Sequence, residues 1–399
     1  MSEASSDSAW AWRTATTELL ARTRFITPSR LPAAVAEAAG KAGTTTRMYL
    51  GDHEQRRLRP FPAVGDPFRI DASPAGMAFR TTSPEREGGW LWYPLLDGTE
   101  RLGVLRLEAA AADRSDAAVR AEVDRFVALV GHLIAVMSAY GDAFERIRRS
   151  EPMSAAAELV WQMLPPLTYG ADNFVISAIL QPVYTMGGDA FDYGVFDSTL
   201  HLGIFDSTGH HLRAGLTTAV TLSATRAVRR AGGGLMAQAR AADEALASEF
   251  GDSRFTTAVL ATIDLASGAV RYVNAGHPPP LVLRKNEIVA TLDGGRRLPL
   301  GLGGIAAAEE PAEVRLETGD RLLAYSDGVI EALARDGAPF GIDRLTELAA
   351  RHAADGLPAP ETLRRMNHDV LAQYDGPPAD DATLLLVEWA GDAVGRLAP

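Results

Sequence analysis

Four stretches in the C-terminal half set a carboxylate where an apolar run stops or turns. Gly187-Gly188-Asp189 is followed by Asp192, TLHLGIFD carries Leu200, Leu202 and Ile204 into Asp206, RLLAYSDGVIEA puts Asp327-Gly328 after Tyr325, and Asp380-Asp381 opens ATLLLVEW. Asp and Gly are ordinary turn formers, so each junction alone reads as a turn. Four in one domain carry more weight, because carboxylates gathered at one sheet edge repel and raise each other's pKa unless cations compensate. The donors on offer are all oxygens, which suits Mg²⁺ or Mn²⁺ and not zinc. Two such ions bridged by one carboxylate make a shared water a nucleophile for in-line attack on phosphorus. The pattern predicts a two-metal hydrolase.

The elements that must position these groups follow from hydrophobic periodicity. Strands are predicted at 174–183, 191–196, 200–205, 255–265, 269–275, 280–284, 288–292, 313–316, 321–325 and 383–390, and helices at 212–231, 235–249, 342–353 and 360–373. Adjacent hairpins with grouped helices imply an α+β protein of largely antiparallel sheets flanked by helices. Upstream, LWYPLL and RLGVLRLE read as strands joined at Asp97-Gly98, with a helix over Thr14–Thr23 and a short one within 71–86. Trp90, Trp92, Tyr93, Met77 and Phe79 suit either a small-molecule pocket or plain core.

Between these zones, Asp116 to Arg149 predicts one long helix. Val123, Phe126, Val130, Leu133, Met137, Tyr140, Phe144 and Ile147 form a heptad seam. That seam predicts a signal-relaying coiled coil and a homodimer through the linker helix. Val127, Ile134 and Val136 widen the stripe, as for a helix packed along its own domain. A second helix at 155–164 stops at Pro165-Pro166. The expected division is 1–112 as a first domain, 113–165 as a helical linker and 166–399 as the domain bearing the carboxylates.

Composition narrows the chemistry. Of 399 residues 47% are apolar and 23% charged, enough for substantial cores. The formal charge of −12 argues against a nucleic-acid partner. The absence of cysteine excludes thiolate catalysis and Cys-ligated zinc. No run is read as reaching bilayer-spanning length and the N-terminus lacks a signal-peptide pattern, so no membrane insertion and a cytoplasmic location are expected.

GGDAFDYGVFDSTLHLGIFDSTGHH, NAGHPPPLVLR, YSDGVIEA, FGIDRL and DDATLLLVEW, in this order, resemble the metal-dependent protein phosphatases of the type 2C (PPM) superfamily, in the SpoIIE branch, over about residues 153–391. Residues 30–108 more loosely resemble a GAF sensor domain. The resemblance implies an α/β/β/α sandwich and removal of phosphate from phosphoserine or phosphothreonine with two divalent cations, Mn²⁺ or Mg²⁺. Asp206 would bridge both ions and the Ser207 carbonyl would bind one. Asp327 and Asp381 would complete the other's shell, Asp189 would bind directly or through water, and Asp192 would support its loop. Asn274 to His277 would shape the pocket wall. The implied substrate is a phosphorylated anti-sigma-factor antagonist, with the N-terminal domain as regulator. Relatives carry Gly-His-Gly after the bridging aspartate, whereas Gly209-His210 is followed here by His211; His210 would contact phosphate or cap the next helix. The competing readings are a phosphatase-like interaction module with decayed catalysis and a hydrolase of small phosphate esters.

Overall fold

The computed structural model describes residues 3–108, 116–209, 211–251, 254–285, 287–303, 310–331, 333, 337–354, 357–373 and 380–391. The chain divides into two compact units, 1–151 and 152–398.

The first unit runs α1 (Glu3–Arg22), α2 (Leu31–Gly40), β1 (Thr46–Gly51), β2 (Arg57–Phe61), β3 (Phe68–Arg69), α3 (Pro74–Thr81), β4 (Glu85–Glu87), β5 (Trp90–Asp97), β6 (Glu100–Glu108), α4 (Ala117–Met137) and α5 (Ala143–Arg148). Its six strands form an antiparallel sheet in the order β3-β2-β1-β6-β5-β4. The β5–β6 hairpin turns at the expected place, with Asp97 facing Glu100 and Gly98 at φ 58°. One sheet face shares a core with Trp12, Leu19, Val35 and Phe126 of the helices. The other packs Tyr49, Leu58, Trp92 and Val104 against Phe79 and Ala78 of α3. Trp92, Tyr93 and Phe79 are therefore core residues, and Met77 is exposed.

The long linker helix and its seam need correction. The helix stops at Met137, passes through one 3-10 turn to Tyr140 and resumes as α5. Val123, Phe126, Val130, Met137 and Phe144 are buried in the first unit's own core, together with Val127 and Ile134. A stripe this wide covers a sheet rather than a narrow two-helix seam. Gly131 shows how closely α4 docks: a Cβ there would lie 1.9 Å from the Leu96 carbonyl oxygen. Most of the predicted seam is thus buried within one chain, with Leu133 and Ile147 partly buried and Tyr140 exposed. The segment 117–140 is, by length and composition, apolar enough to cross a membrane, contrary to the sequence expectation. Its apolar side is that core face.

The second unit runs α6 (Ala155–Met163), β7 (Thr168–Ala171), β8 (Phe174–Gln181), β9 (Asp189–Phe196), β10 (Thr199–Ser207), α7 (His211–Arg230), α8 (Leu235–Phe250), β11 (Thr256–Asp264), β12 (Ala269–Ala275), β13 (Leu281–Arg284), β14 (Glu287–Thr291), β15 (Arg296–Arg297), β16 (Ala312–Arg315), β17 (Arg321–Tyr325), α9 (Asp327–Glu331), α10 (Gly341–Ala354), α11 (Ala359–Gln373) and β18 (Ala382–Trp389). One sheet has the order β15-β12-β11-β10-β9 with β16 beside β12, and the other β14-β13-β17-β18-β8-β7. Pairing is antiparallel except for the short β12–β15 contact. Ile176 and Leu180 of β8 and Leu385 and Val387 of β18 share a core with Leu202 and Ile204 of β10 and with Leu222 of α7. Alternate residues of the same strands, Val175, Ile179, Leu384 and Leu386, pack on Leu345, Leu363 and Met366 of α10 and α11. Strands buried on both faces carry apolar residues at successive positions, as ATLLLVEW does. The layers are helix, sheet, sheet, helix, the expected α/β/β/α sandwich.

Candidate active site

The strand ends bring the predicted carboxylates together. Asp206 on β10 lies directly across from Asp189 on β9. Directly opposed residues on neighbouring strands hold their Cβ atoms about 5 Å apart, where like charges destabilise. Asp381 stands one residue before β18, and Asp327 opens α9 beyond the neighbouring β17. Two glycines set the spacing by lacking a side chain. A Cβ on Gly188 would lie 2.9 Å from the Ser207 carbonyl oxygen, 3.5 Å from Asp381 Oδ2 and 3.6 Å from Asp206 Oδ1. A Cβ on Gly328 would lie 1.9 Å from the Asp381 carbonyl oxygen.

Hydrogen bonds then fix the side chains. Asp381 Oδ2 accepts the backbone N–H groups of Gly187 at 2.8 Å, Gly188 at 2.6 Å and Asp189 at 3.3 Å. Three successive amides aimed at one oxygen form an anion-holding concavity, which ties the start of β18 to the start of β9. Asp189 Oδ2 accepts the hydroxyls of Ser326 and Thr383, both at 2.7 Å. The Ser326 hydroxyl also accepts the Thr383 N–H at 2.9 Å. Asp189 is thereby held by groups adjoining Asp327 and Asp381, and its other oxygen carries no hydrogen bond within the described residues.

The electrostatics record the crowding. Burial, then the charges of Asp327, Asp380 and Asp381, push the Asp206 carboxyl up to about 7. Burial and the charges of Asp206 and Asp381 push Asp189 well above the usual carboxylate range, against the pull of the Thr383 and Ser326 hydroxyls. Burial raises Asp327 and Asp381 as well, the latter despite its three amide donors. Among the described residues, none of the four carboxylates forms an ion pair with Arg, Lys or His. A negative cluster of one buried and three half-buried carboxylates, with no counter-charge among the described residues, fits a site for bound cations.

The donor set is all oxygen and suits hard divalent ions. No three carboxylates among the described residues close round a single point as a ready cage. Ligation here would draw on the Ser207 carbonyl and on water, in keeping with Mg²⁺, which retains waters and takes one or two carboxylates.

Other predicted residues fall elsewhere. Asp192 does not support the Asp189 loop. Successive strand residues alternate faces, and Asp192 pairs with Arg226 and Arg229 of α7, each at 2.7 Å. Asn274 closes a turn, its Nδ2 donating to the His277 carbonyl at 2.9 Å and its Oδ1 accepting the His277 N–H at 2.8 Å. Burial pulls the His277 imidazole down to about 3, and its Nδ1 lies 2.8 Å from Thr257 Oγ1. His277 is thus a neutral structural group. His211 opens α7 at φ 60°, the left-handed region that glycine adopts without strain. His210 lies outside the described residues. The sequence reading missed Ser326, Thr383 and the Gly187 and Gly188 amides. Ser326 and Thr383 sit one residue before Asp327 and two after Asp381, a closeness that spacing alone does not mark as contact.

A two-sheet sandwich with carboxylates and glycines gathered at one end is the architecture of the type 2C metal-dependent phosphatases. Residues 197–390 match the model for Stage II sporulation protein E (SpoIIE), and this stretch is a phosphatase domain of that type. The RsbU and RsbW domains of Rv1364c from Mycobacterium tuberculosis superpose with a TM-score of 0.51 at 25% identity, covering 58% of this chain and 64% of that one. The SiaA PP2C domain of Pseudomonas aeruginosa superposes at 0.50 and 22% identity, covering 59% and 94%. Protein IcfG of Synechocystis sp. is 28% identical over 155 residues, which make up 37% of this chain. That match spans 23% of IcfG.

Proposed function

We propose that the second unit removes phosphate from phosphoserine or phosphothreonine in a protein, using two divalent cations, Mn²⁺ or Mg²⁺. The observation that carries this reading is the convergence of Asp189, Asp206, Asp327 and Asp381 with no counter-charge among the described residues. Asp206 would bridge the ions, with the Ser207 carbonyl on one, Asp327 and Asp381 on the other, and Asp189 bound directly or through water. Bound there, such ions polarise a phosphoryl oxygen and make water nucleophilic near neutral pH. The chain's own part is positional. Asp381 holds the Gly187–Asp189 turn through three amides, while Ser326 and Thr383 hold one Asp189 oxygen and leave the other for a cation or its water. His277, buried and neutral, is fitted for holding a turn rather than passing protons.

The likeness to the RsbU and RsbW domains supports a place in sigma-factor control. Within that reading we propose a phosphorylated anti-sigma-factor antagonist as substrate. We read the first unit as a GAF-like regulatory domain and the protein as cytoplasmic. The test is hydrolysis of p-nitrophenyl phosphate with Mn²⁺. Wild type should turn over and lose activity in EDTA, and Asp206→Asn and Asp327→Asn should each lose at least about a hundredfold. No metal-dependent turnover in wild type would favour an interaction module instead. A phosphorylated antagonist protein, cleaved in preference to the small ester, would separate protein phosphatase from small-ester hydrolase.

A further inference from the structure

α7 carries a buried row of threonines, Thr217, Thr218, Thr221 and Thr225, none more than 3% exposed. Threonine is a middling helix former, and such a row inside a core demands partners for its hydroxyls. Thr217 and Thr225 bond only within the helix, whereas Thr221 and Thr218 reach out of it. Thr218 Oγ1 lies 2.7 Å from the Gly188 carbonyl oxygen, 3.3 Å from that of Gly187, 3.0 Å from that of Ala214 and 2.9 Å from Ser207 Oγ. Ser207 Oγ in turn lies 2.9 Å from Thr256 Oγ1, which lies 3.0 Å from Thr221 Oγ1. A hydroxyl has one proton. The Thr218 hydroxyl therefore donates to one of these acceptors at a time, the Gly188 carbonyl being the nearest and Ser207 Oγ another.

This chain of hydroxyls joins α7, β10 and β11 to the turn that contributes the amides for Asp381. The Gly188 carbonyl also accepts the Ser207 N–H at 3.0 Å, so the Thr218 hydroxyl reinforces a backbone contact that sets Gly188 beside the Ser207 carbonyl, close to Asp206 and Asp381. We propose that Thr218 is a positioning residue for the cation site, holding the Gly187–Gly188 turn and the Ser207 carbonyl at the separation that ligation requires. The inference rests on reading the site as a metal centre. Groups that orient ligands without touching the ion are worth about ten- to a hundredfold in metal affinity.

The test is Mn²⁺ binding to the full chain by calorimetry, beside thermal melting in EDTA. Thr218→Val keeps the shape and removes the hydroxyl, and it should bind Mn²⁺ at least about tenfold more weakly. Thr218→Ser keeps the hydroxyl and removes a buried methyl. It should melt lower yet bind Mn²⁺ within about twofold of wild type, an ordering that a purely structural role would not produce. Wild-type affinity in a folded Thr218→Val protein, or equal weakening in Thr218→Ser, would overturn the proposal. If Thr218→Val fails to fold, Ser207→Ala cuts the same chain and leaves the carbonyl in place. It should show the same loss, and unchanged affinity would overturn the proposal equally. Wild type that binds no Mn²⁺ would instead overturn the metal-centre reading, and this inference with it.

Discussion

Asp206 sits opposite Asp189 across a strand pair, half-buried, and with its carboxyl raised to about 7 by its surroundings. Such a residue is a burden on the folded state until a cation is bound, the common cost of a functional cluster. Asp206→Asn should therefore melt higher than wild type in EDTA, by about 1 kcal/mol of stability. Mn²⁺ should reverse the order, because a ligand that binds only the native state at 100 times its Kd adds about 2.7 kcal/mol. Differential scanning calorimetry of both proteins, with EDTA and with Mn²⁺, reads this crossing. A variant that melts below wild type in EDTA would argue that Asp206 has a stabilising partner. The same logic separates Asp192 from the site. Its two arginines pair with it, and the odd spacing of the two aspartates in Gly-Gly-Asp-Ala-Phe-Asp puts them on opposite sides of β9 once both are in one strand.

At the scale of the element, α4 shows why periodicity alone does not name a partner. Val123, Phe126 and Val130 satisfy a heptad, but Val127 and Ile134 broaden the stripe, and Gly131 lets the helix lie against β5. A seam and a core face differ by a few residues in width, and the sheet that receives the helix is assembled from strands spread over Thr46 to Glu108. Phe126→Ala should cost the first unit about 3–5 kcal/mol, as for a fully buried aromatic, with the sedimentation coefficient of the folded protein unchanged. Hydrogen exchange over 46–51 and 90–108 would report the loss. Dissociation of a dimer without loss of stability would restore the coiled-coil reading. By contrast, the strands of the second unit matched their predicted positions closely, since each is a short apolar run bounded by turn residues.

Across the whole molecule, each unit has hydrophobic clusters made of its own residues. A domain with its own core is expected to fold alone. Residues 152–398 expressed by themselves should keep Mn²⁺-dependent hydrolysis of p-nitrophenyl phosphate within about tenfold of the full chain. A soluble, folded fragment without that activity would show that the first unit is needed for catalysis rather than for control.

The sequence by itself determined the chemistry on offer: oxygen donors only, no thiol, aspartates and glycines at the ends of apolar strands, and therefore hard cations and phosphate. It also determined most strand and helix positions in the second unit, because local periodicity and turn chemistry decide these. Only the tertiary structure decided which junctions meet. The pairing of Asp189 with Asp206, the seating of Asp381 on three amides and the hydroxyls of Ser326, Thr383 and Thr218 depend on contacts between residues up to 194 positions apart. Such contacts arise from how sheets stack and helices dock, and no local pattern of residue types encodes them.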